Sequence, residues 1–278
     1  MDLIDTHQHL IYRAALGYGW TAGVPVLAAG DFTLGDYQAL TKGREVTGTI
    51  FMEAGVDDAD YKAEARMVAA LAQTPGSGIL GLIASCRPEA DMAGWLEECS
   101  GLGVVGFRRI LHETSDDVSR SEGFRANVRA IGASGRPFDM VFLARQLPVA
   151  CELARACPDM VLVLDHCGVP DIAGGGFAAW RAGISAVAEC PNVVCKLSGI
   201  SAYAGPGGAT AERLGPYVDH VLTSFGPDRM LWGSDWPVVN IADGLPAWID
   251  LTRQLLAGLS VDEQAAIGQG TARRVYGV

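Results

Sequence analysis

The chain has 278 residues, with 21 Lys and Arg against 32 Asp and Glu, a net charge of −11, 49% hydrophobic and 19% charged residues. That balance excludes a disordered chain and argues against nucleic acid or an anionic membrane as partner. It leaves room for a small anionic ligand, which a local arginine cluster could still hold.

The first strand runs from Leu3 to Leu10 and carries His7 and His9. Alternate strand residues point the same way, so the two imidazoles can reach one point in space. Residues 12–30 are rich in Gly, Ala, Tyr and Trp and long for a connection, so Tyr18 and Trp20 are candidate wall residues of a pocket or pins for the loop. Residues 45–52 read as strand two, ending at Glu53, with a helix over 57–74. Strand three is 79–84, followed by a helix over 88–99 with a proline near its first turn. Strand four is 104–110, and Arg108, Arg109, His112 and Glu113 stand at its end. Next come a helix over 121–133, strand five at 137–142 and a helix over 144–156. Strand six (161–166) ends in His166, a helix covers 177–189, and strand seven (193–197) contains Lys196. After a Gly-rich turn at 205–208 comes a helix over 210–225. Strand eight (229–235) ends in Asp235, and helices over 243–258 and 261–269 close the chain.

Eight short apolar strands alternating with helices predict a parallel sheet, and at this length a single-domain (β/α)₈ barrel spanning residues 1–278. The rival, an open doubly wound sheet, needs a glycine-rich phosphate turn where His7-Gln8-His9 stands. No apolar run approaches the ~20 residues of a membrane span. The beginning of the chain shows neither the basic region nor the apolar run of a signal peptide. Seven scattered cysteines form no CxxC pair, so reduced, mostly buried thiols in the cytoplasm are expected.

In an α/β barrel the C-terminal strand ends open on one face, where the active site forms. His7, His9, Glu53, Arg108, His112, His166, Lys196 and Asp235 all fall there. Three histidines and an aspartate suit one zinc ion with a water, which would become acidic near pH ~7. The same set also works without metal, Asp235 serving as base and His, Lys196 or Arg108 stabilising an oxyanion. Arg108 binds substrate or pairs with Glu113 or Asp139; Lys196 touches substrate or forms a structural ion pair. Trp236 stacks on a ring substrate or packs beneath the loop, and parity alone does not say whether Arg108 or Arg109 faces inwards. His220 reads as a surface or packing residue; Trp95, Trp180 and Trp248 read as helix residues of the core.

His7-Gln8-His9, Gly106-Phe107-Arg108-Arg109-Ile110-Leu111-His112-Glu113-Thr114, Leu164-Asp165-His166-Cys167-Gly168-Val169-Pro170, Asn192-Val193-Val194-Cys195-Lys196-Leu197-Ser198-Gly199 and Gly233-Ser234-Asp235-Trp236-Pro237-Val238 occur in that order. Together they resemble the amidohydrolase superfamily, and within it the lactonase-like branch of sugar-lactone and pyrone-dicarboxylate hydrolases. The resemblance implies a (β/α)₈ barrel, hydrolysis of a small lactone, most of all a sugar lactone, and catalytic or metal-ligating roles for His7, His9, His166 and Asp235. From their places at strand ends and in loops, Glu53, Arg108, His112, Lys196, Trp20 and Trp236 are the candidate substrate contacts. Binuclear members carry a lysine or glutamate on strand four and a histidine on strand five; here stand arginines and Asp139, so one zinc or none is expected. The partner is then a small-molecule lactone, and a homo-oligomer is compatible with the sequence. A pyrone-dicarboxylate lactonase, another hydrolase or decarboxylase of the superfamily, and a non-catalytic barrel binding a sugar acid are the alternatives.

Overall fold

Eight parallel strands pair in strict chain order: β1 (Leu3–Gln8), β2 (Val46–Met52), β3 (Ile79–Ser85), β4 (Val104–Ile110), β5 (Phe138–Val141), β6 (Leu162–Leu164), β7 (Val193–Leu197) and β8 (Met230–Trp232). The computed structural model describes residues 1–28 and 30–278; Ala29, in the expected 12–30 loop, lies outside them. Closure between the last and first strands is made beyond β8. Asp235 N–H donates to His7 O at 2.8 Å and His9 N–H to Trp236 O at 2.8 Å, while Thr6 Oγ1 donates to Trp232 O at 2.6 Å. The result is the expected (β/α)₈ barrel.

The helices are α1 (Leu34–Thr41), α2 (Tyr61–Ala72), α3 (Ala93–Ser100), α4 (Asp116–Arg120), α5 (Glu122–Ala133), α6 (Leu147–Ala156), α7 (Phe177–Ala188), α8 (Ile200–Tyr203), α9 (Ala211–Phe225), α10 (Gly244–Leu256), α11 (Val261–Ala265) and α12 (Thr271–Tyr276). None is long and apolar enough to cross a membrane, among the described residues. Four are additional to the expected set. α1 is opened by a capping box between Thr33 and Asp36, and α4, α8 and α12 are too short to show periodicity. Conversely, the helix expected from residue 88 begins only at Ala93, where the Asp91 carboxylate accepts from the Ala93 N–H at 3.0 Å. Strands six and eight are shorter than expected because the chain leaves extended geometry before their functional residues. His166 and Asp235 both have left-handed backbones, with φ of 55° and 57°.

An apolar cluster fills the lower barrel interior: Ile4, Ile50, Met52, Ile83, Val163, Val194 and Leu231. α12 closes its lower end with Val275 and Tyr276. Strict alternation from Ile4 would turn His7 and His9 outwards. Between Asp5 and Gln8, however, β1 advances three residues while β2 advances only two, Thr49 to Phe51. This β-bulge reverses the parity and aims both imidazoles at the same space. Trp95, Trp180 and Trp248 are buried outside the sheet as expected, and each pins a strand end. Their indole N–H groups donate to Ser85 O (3.0 Å), Cys167 O (2.7 Å) and Gly233 O (3.0 Å). All seven cysteines are buried and unpaired.

Candidate active site

At the C-terminal mouth a cavity of about 240 Å³ is lined by His9, Arg108, His112, His166, Tyr203 and Asp235, with Trp20 and Ile110 in its wall. Asp235 is the common neighbour. Its Oδ1 lies 3.3 Å from His9 Nε2 and 3.7 Å from His7 Nε2, and its Oδ2 lies 3.9 Å from His166 Nδ1. Asp235, His7, His9 and His166 are almost wholly buried. Two glycines make room. A Cβ on Gly233 would stand 2.7 Å from His7 Cβ, and one on Gly199 (φ 68°) would stand 2.5 Å from His166 Nδ1 and 3.1 Å from Asp235 Oδ2.

The hydrogen bonds set which imidazole nitrogens are free. His9 Nδ1 faces Met52 O at 3.0 Å, so it carries the proton and leaves Nε2 bare towards Asp235. Arg108 Nη1 can only donate, and it lies 3.2 Å from His7 Nε2. The His7 proton is therefore on Nδ1, 3.5 Å from Asp165 Oδ1. His7 Nε2, faced by Arg108, the bare His9 Nε2 and an Asp235 oxygen converge as a group that could hold a metal ion. A second cluster, His7, Asp165 and His166, would need the His7 nitrogen that carries the proton. Burial pushes both His7 and His166 below the usual histidine range, His7 strongly so despite Asp165, which keeps both rings neutral at pH 7. His166 Nδ1 is further fixed by Ser198 Oγ at 2.9 Å.

Beneath the pocket lies a charged layer. Arg108 Nε donates to Glu53 Oε1 at 2.6 Å and Nη2 to Glu53 O at 2.6 Å. Lys196 Nζ meets Asp139 at 2.5 Å and Asp165 at 3.0 Å. Although burial alone would raise Asp165, Lys196 and His7 hold its carboxyl well below the carboxylate range. Burial wins at Asp139, whose carboxyl is pushed up to about 7 against the pull of Lys196; Tyr276 Oη donates to it at 2.9 Å. The layer and the pocket together hold two cations, Arg108 and Lys196, against the carboxylates of Glu53, Asp165 and Asp235, with Asp139 only partly charged at pH 7. This excess of negative charge, with the ring nitrogens above it, fits one divalent cation at His7, His9 and Asp235.

The placement of the remaining candidates separates wall from support. Arg108 faces inwards, whereas Arg109 points outwards to Glu89 at 2.6 Å. His112 lines the pocket beside Glu113, 3.8 Å away, and burial lowers its pKa. Trp20 offers only its ring face, because its indole N–H donates to Ala54 O at 2.9 Å. Three candidates for substrate contact sit elsewhere. Lys196 is fully buried in the charged layer, where only an ion pair makes an ammonium tolerable. Glu53 is turned towards Arg108 and the Gly55 N–H. Trp236 packs behind the site against Phe32 and Tyr37, ring centroids 5.7 and 5.6 Å away. Tyr18, a candidate wall residue, instead packs beneath the loop with Ile11 and Leu16.

Two residues escaped the sequence reading. Asp5 ties the site together from outside: it accepts from Ser234 N–H (2.8 Å), His7 N–H (3.0 Å) and Tyr37 Oη (2.7 Å). Tyr203, on a four-residue helix, sets its ring edge-on to His166 with centroids 6.2 Å apart.

A protein-family model described as amidohydrolase matches residues 4–278. The chain belongs to the amidohydrolase family. It is 30% identical over 284 residues to an L-fucono-1,5-lactonase of Burkholderia ambifaria, covering 98% of this chain and 94% of that one. A solved amidohydrolase of Burkholderia multivorans with bound zinc superposes with a TM-score of 0.90 at 30% identity, covering both chains fully. A 2-pyrone-4,6-dicarboxylate hydrolase of Comamonas testosteroni is 27% identical over 161 residues, 54% of this chain and 52% of that one. In this amidohydrolase His9, Arg108, His112, His166 and Asp235 line one cavity, with His7 buried directly behind Asp235.

Proposed function

We propose that this amidohydrolase opens a small lactone by hydrolysis, with a neutral sugar lactone as its preferred substrate. The observation that carries the choice is the state of Arg108. It is the one Arg or Lys among the described residues lining the pocket, and its guanidinium is paired with Glu53 through Nε and Nη2. Among the described lining residues no unpaired side-chain cation is left for the carboxylates of a pyrone dicarboxylate. The fuconolactonase relatives support the same reading, and the cavity holds one small ring.

In the proposed reaction Asp235 accepts a proton from a water as its oxygen forms a bond to the lactone carbonyl carbon. The ring C–O bond then breaks, and the Asp235 proton passes to the departing ring oxygen, leaving a hydroxy acid. His166, which burial keeps below the usual histidine range, and His9 flank the Asp235 carboxylate, their nearest ring nitrogens 3.9 and 3.3 Å from it. His112 and Tyr203 offer polar groups in the wall to ring hydroxyls, and the Trp20 ring closes one side. One divalent cation, zinc in our reading, would be held by His7, His9 and Asp235; when bound it polarises a carbonyl and eases deprotonation of water. The reading is tested by following proton release with a pH indicator from L-fucono-1,5-lactone, other aldono-lactones and 2-pyrone-4,6-dicarboxylate. Turnover of aldono-lactones alone supports it. Turnover of the dicarboxylate alone overturns the substrate class.

A further inference from the structure

We propose that a second cavity beside the catalytic pocket is a subsite for an apolar arm on the lactone, with Tyr203 as the partition between them. The inference rests on the lactone reading above and adds to it the class of substituent that the enzyme selects. The second cavity, about 540 Å³, is walled by Leu143, Ala144, Val169, Pro170, Ala179 and Tyr203. Arg145 and Asp171 also line it, and both are exposed. Asp171 is occupied by the Gly174 N–H at 2.8 Å.

Three stretches of chain line both cavities. At the end of β5, Val141 faces the catalytic pocket, while Leu143 and Ala144 just beyond it face the second. Beyond β6, His166 faces the first and Val169 and Pro170 the second. Tyr203 lines both. The turn after β6 holds His166 at φ 55° and Val169 at φ 46°, a conformation that is costly for a β-branched residue. That turn places a catalytic imidazole and an aliphatic wall within four residues of each other. In the proposed pose a lactone whose carbonyl sits beside Asp235 and His166 extends past Tyr203 into the second cavity. In a 1,5-lactone the group that extends is the exocyclic substituent on the carbon beside the ring oxygen.

The walls are aliphatic, so recognition comes from burying methylenes, which raises binding roughly fourfold for each one removed from water. The test compares kcat/KM for δ-valerolactone, δ-hexalactone, δ-octalactone and δ-decalactone in the wild type, Ala179→Trp and Ala144→Trp. Ala179 is exposed on the first turn of α7, so a larger side chain there intrudes on the groove rather than the core. The expected result is a rise of roughly fourfold per methylene until the groove is full. Both variants flatten this rise, read as the decalactone to valerolactone ratio within one preparation, so a loss of folded protein cancels. A flat wild-type series beside turnover of aldono-lactones overturns the subsite and leaves the lactonase reading standing. A slope surviving both variants also overturns the subsite, and absence of turnover with every lactone overturns both.

Discussion

Gly199 and His166 touch so closely that no side chain fits between them: a Cβ on Gly199 would stand 2.5 Å from His166 Nδ1. Gly199 also has a φ of 68°, which L side chains rarely adopt. Gly199→Ala is expected to displace His166 and crowd Asp235, lowering kcat on an aldono-lactone by about 10²-fold, the usual cost of a displacement near 1 Å. Circular dichroism should show the barrel intact. Wild-type kcat in the alanine variant would show that His166 does not need this position.

The convergence of His7, His9 and Asp235 atoms predicts a metal site that can be checked without turnover. After dialysis against a chelator, calorimetric titration with zinc should give one strong site per chain. His9→Ala should abolish it, because the ring holds its free Nε2 in place through Met52 O. Equal zinc binding by the variant would remove His9 from the ligand set.

Lys196 belongs to the charged layer and not to the wall, so its loss should appear in stability. Lys196→Met leaves Asp139 and Asp165 buried without their common cation. Breaking such a pair costs about 3–5 kcal/mol, read as a lower urea midpoint. Tyr276→Phe removes only one hydrogen bond to Asp139 and should cost about 1 kcal/mol. A Lys196→Met protein of wild-type stability would contradict the ion-pair role.

Glu64 gives a pH prediction. Burial, then the nearby Glu53 charge, pushes its carboxyl well above the ordinary glutamate value, while its Oε1 accepts from Ala54 N–H at 2.9 Å. The folded state retains a proton that the unfolded chain releases, so this contribution is complete below about pH 4.5 and is lost as pH rises towards the folded value. Glu64→Gln keeps the acceptor and abolishes the titration. Its melting temperature relative to the wild type should therefore rise between pH 5 and pH 8. A pH-independent difference would show that Glu64 does not titrate as described.

The barrel was legible because each strand is a short apolar run, and most of the site because His9, Arg108, His166 and Asp235 close such runs. What escaped the sequence depends on contacts distant along the chain. The inward aim of His7 and His9 follows from a bulge whose extra residue shows only in the pairing with β2. Lys196 looked like a pocket residue because strand position does not reveal depth. In the fold it stands one layer below the cavity, where Asp139 and the terminal Tyr276 meet it. Asp5 reads as an ordinary strand residue until Ser234, 229 positions away, is seen to donate to it.

The central claim is that Asp235 moves the proton in lactone hydrolysis. Asp235→Asn preserves size and side-chain position while abolishing the base, and the decisive quantity is kcat/KM for L-fucono-1,5-lactone or whichever aldono-lactone the wild type prefers. Loss of general acid–base catalysis predicts a fall of about 10²–10⁴-fold with an unchanged circular dichroism spectrum. Wild-type turnover by the folded asparagine variant would contradict the account.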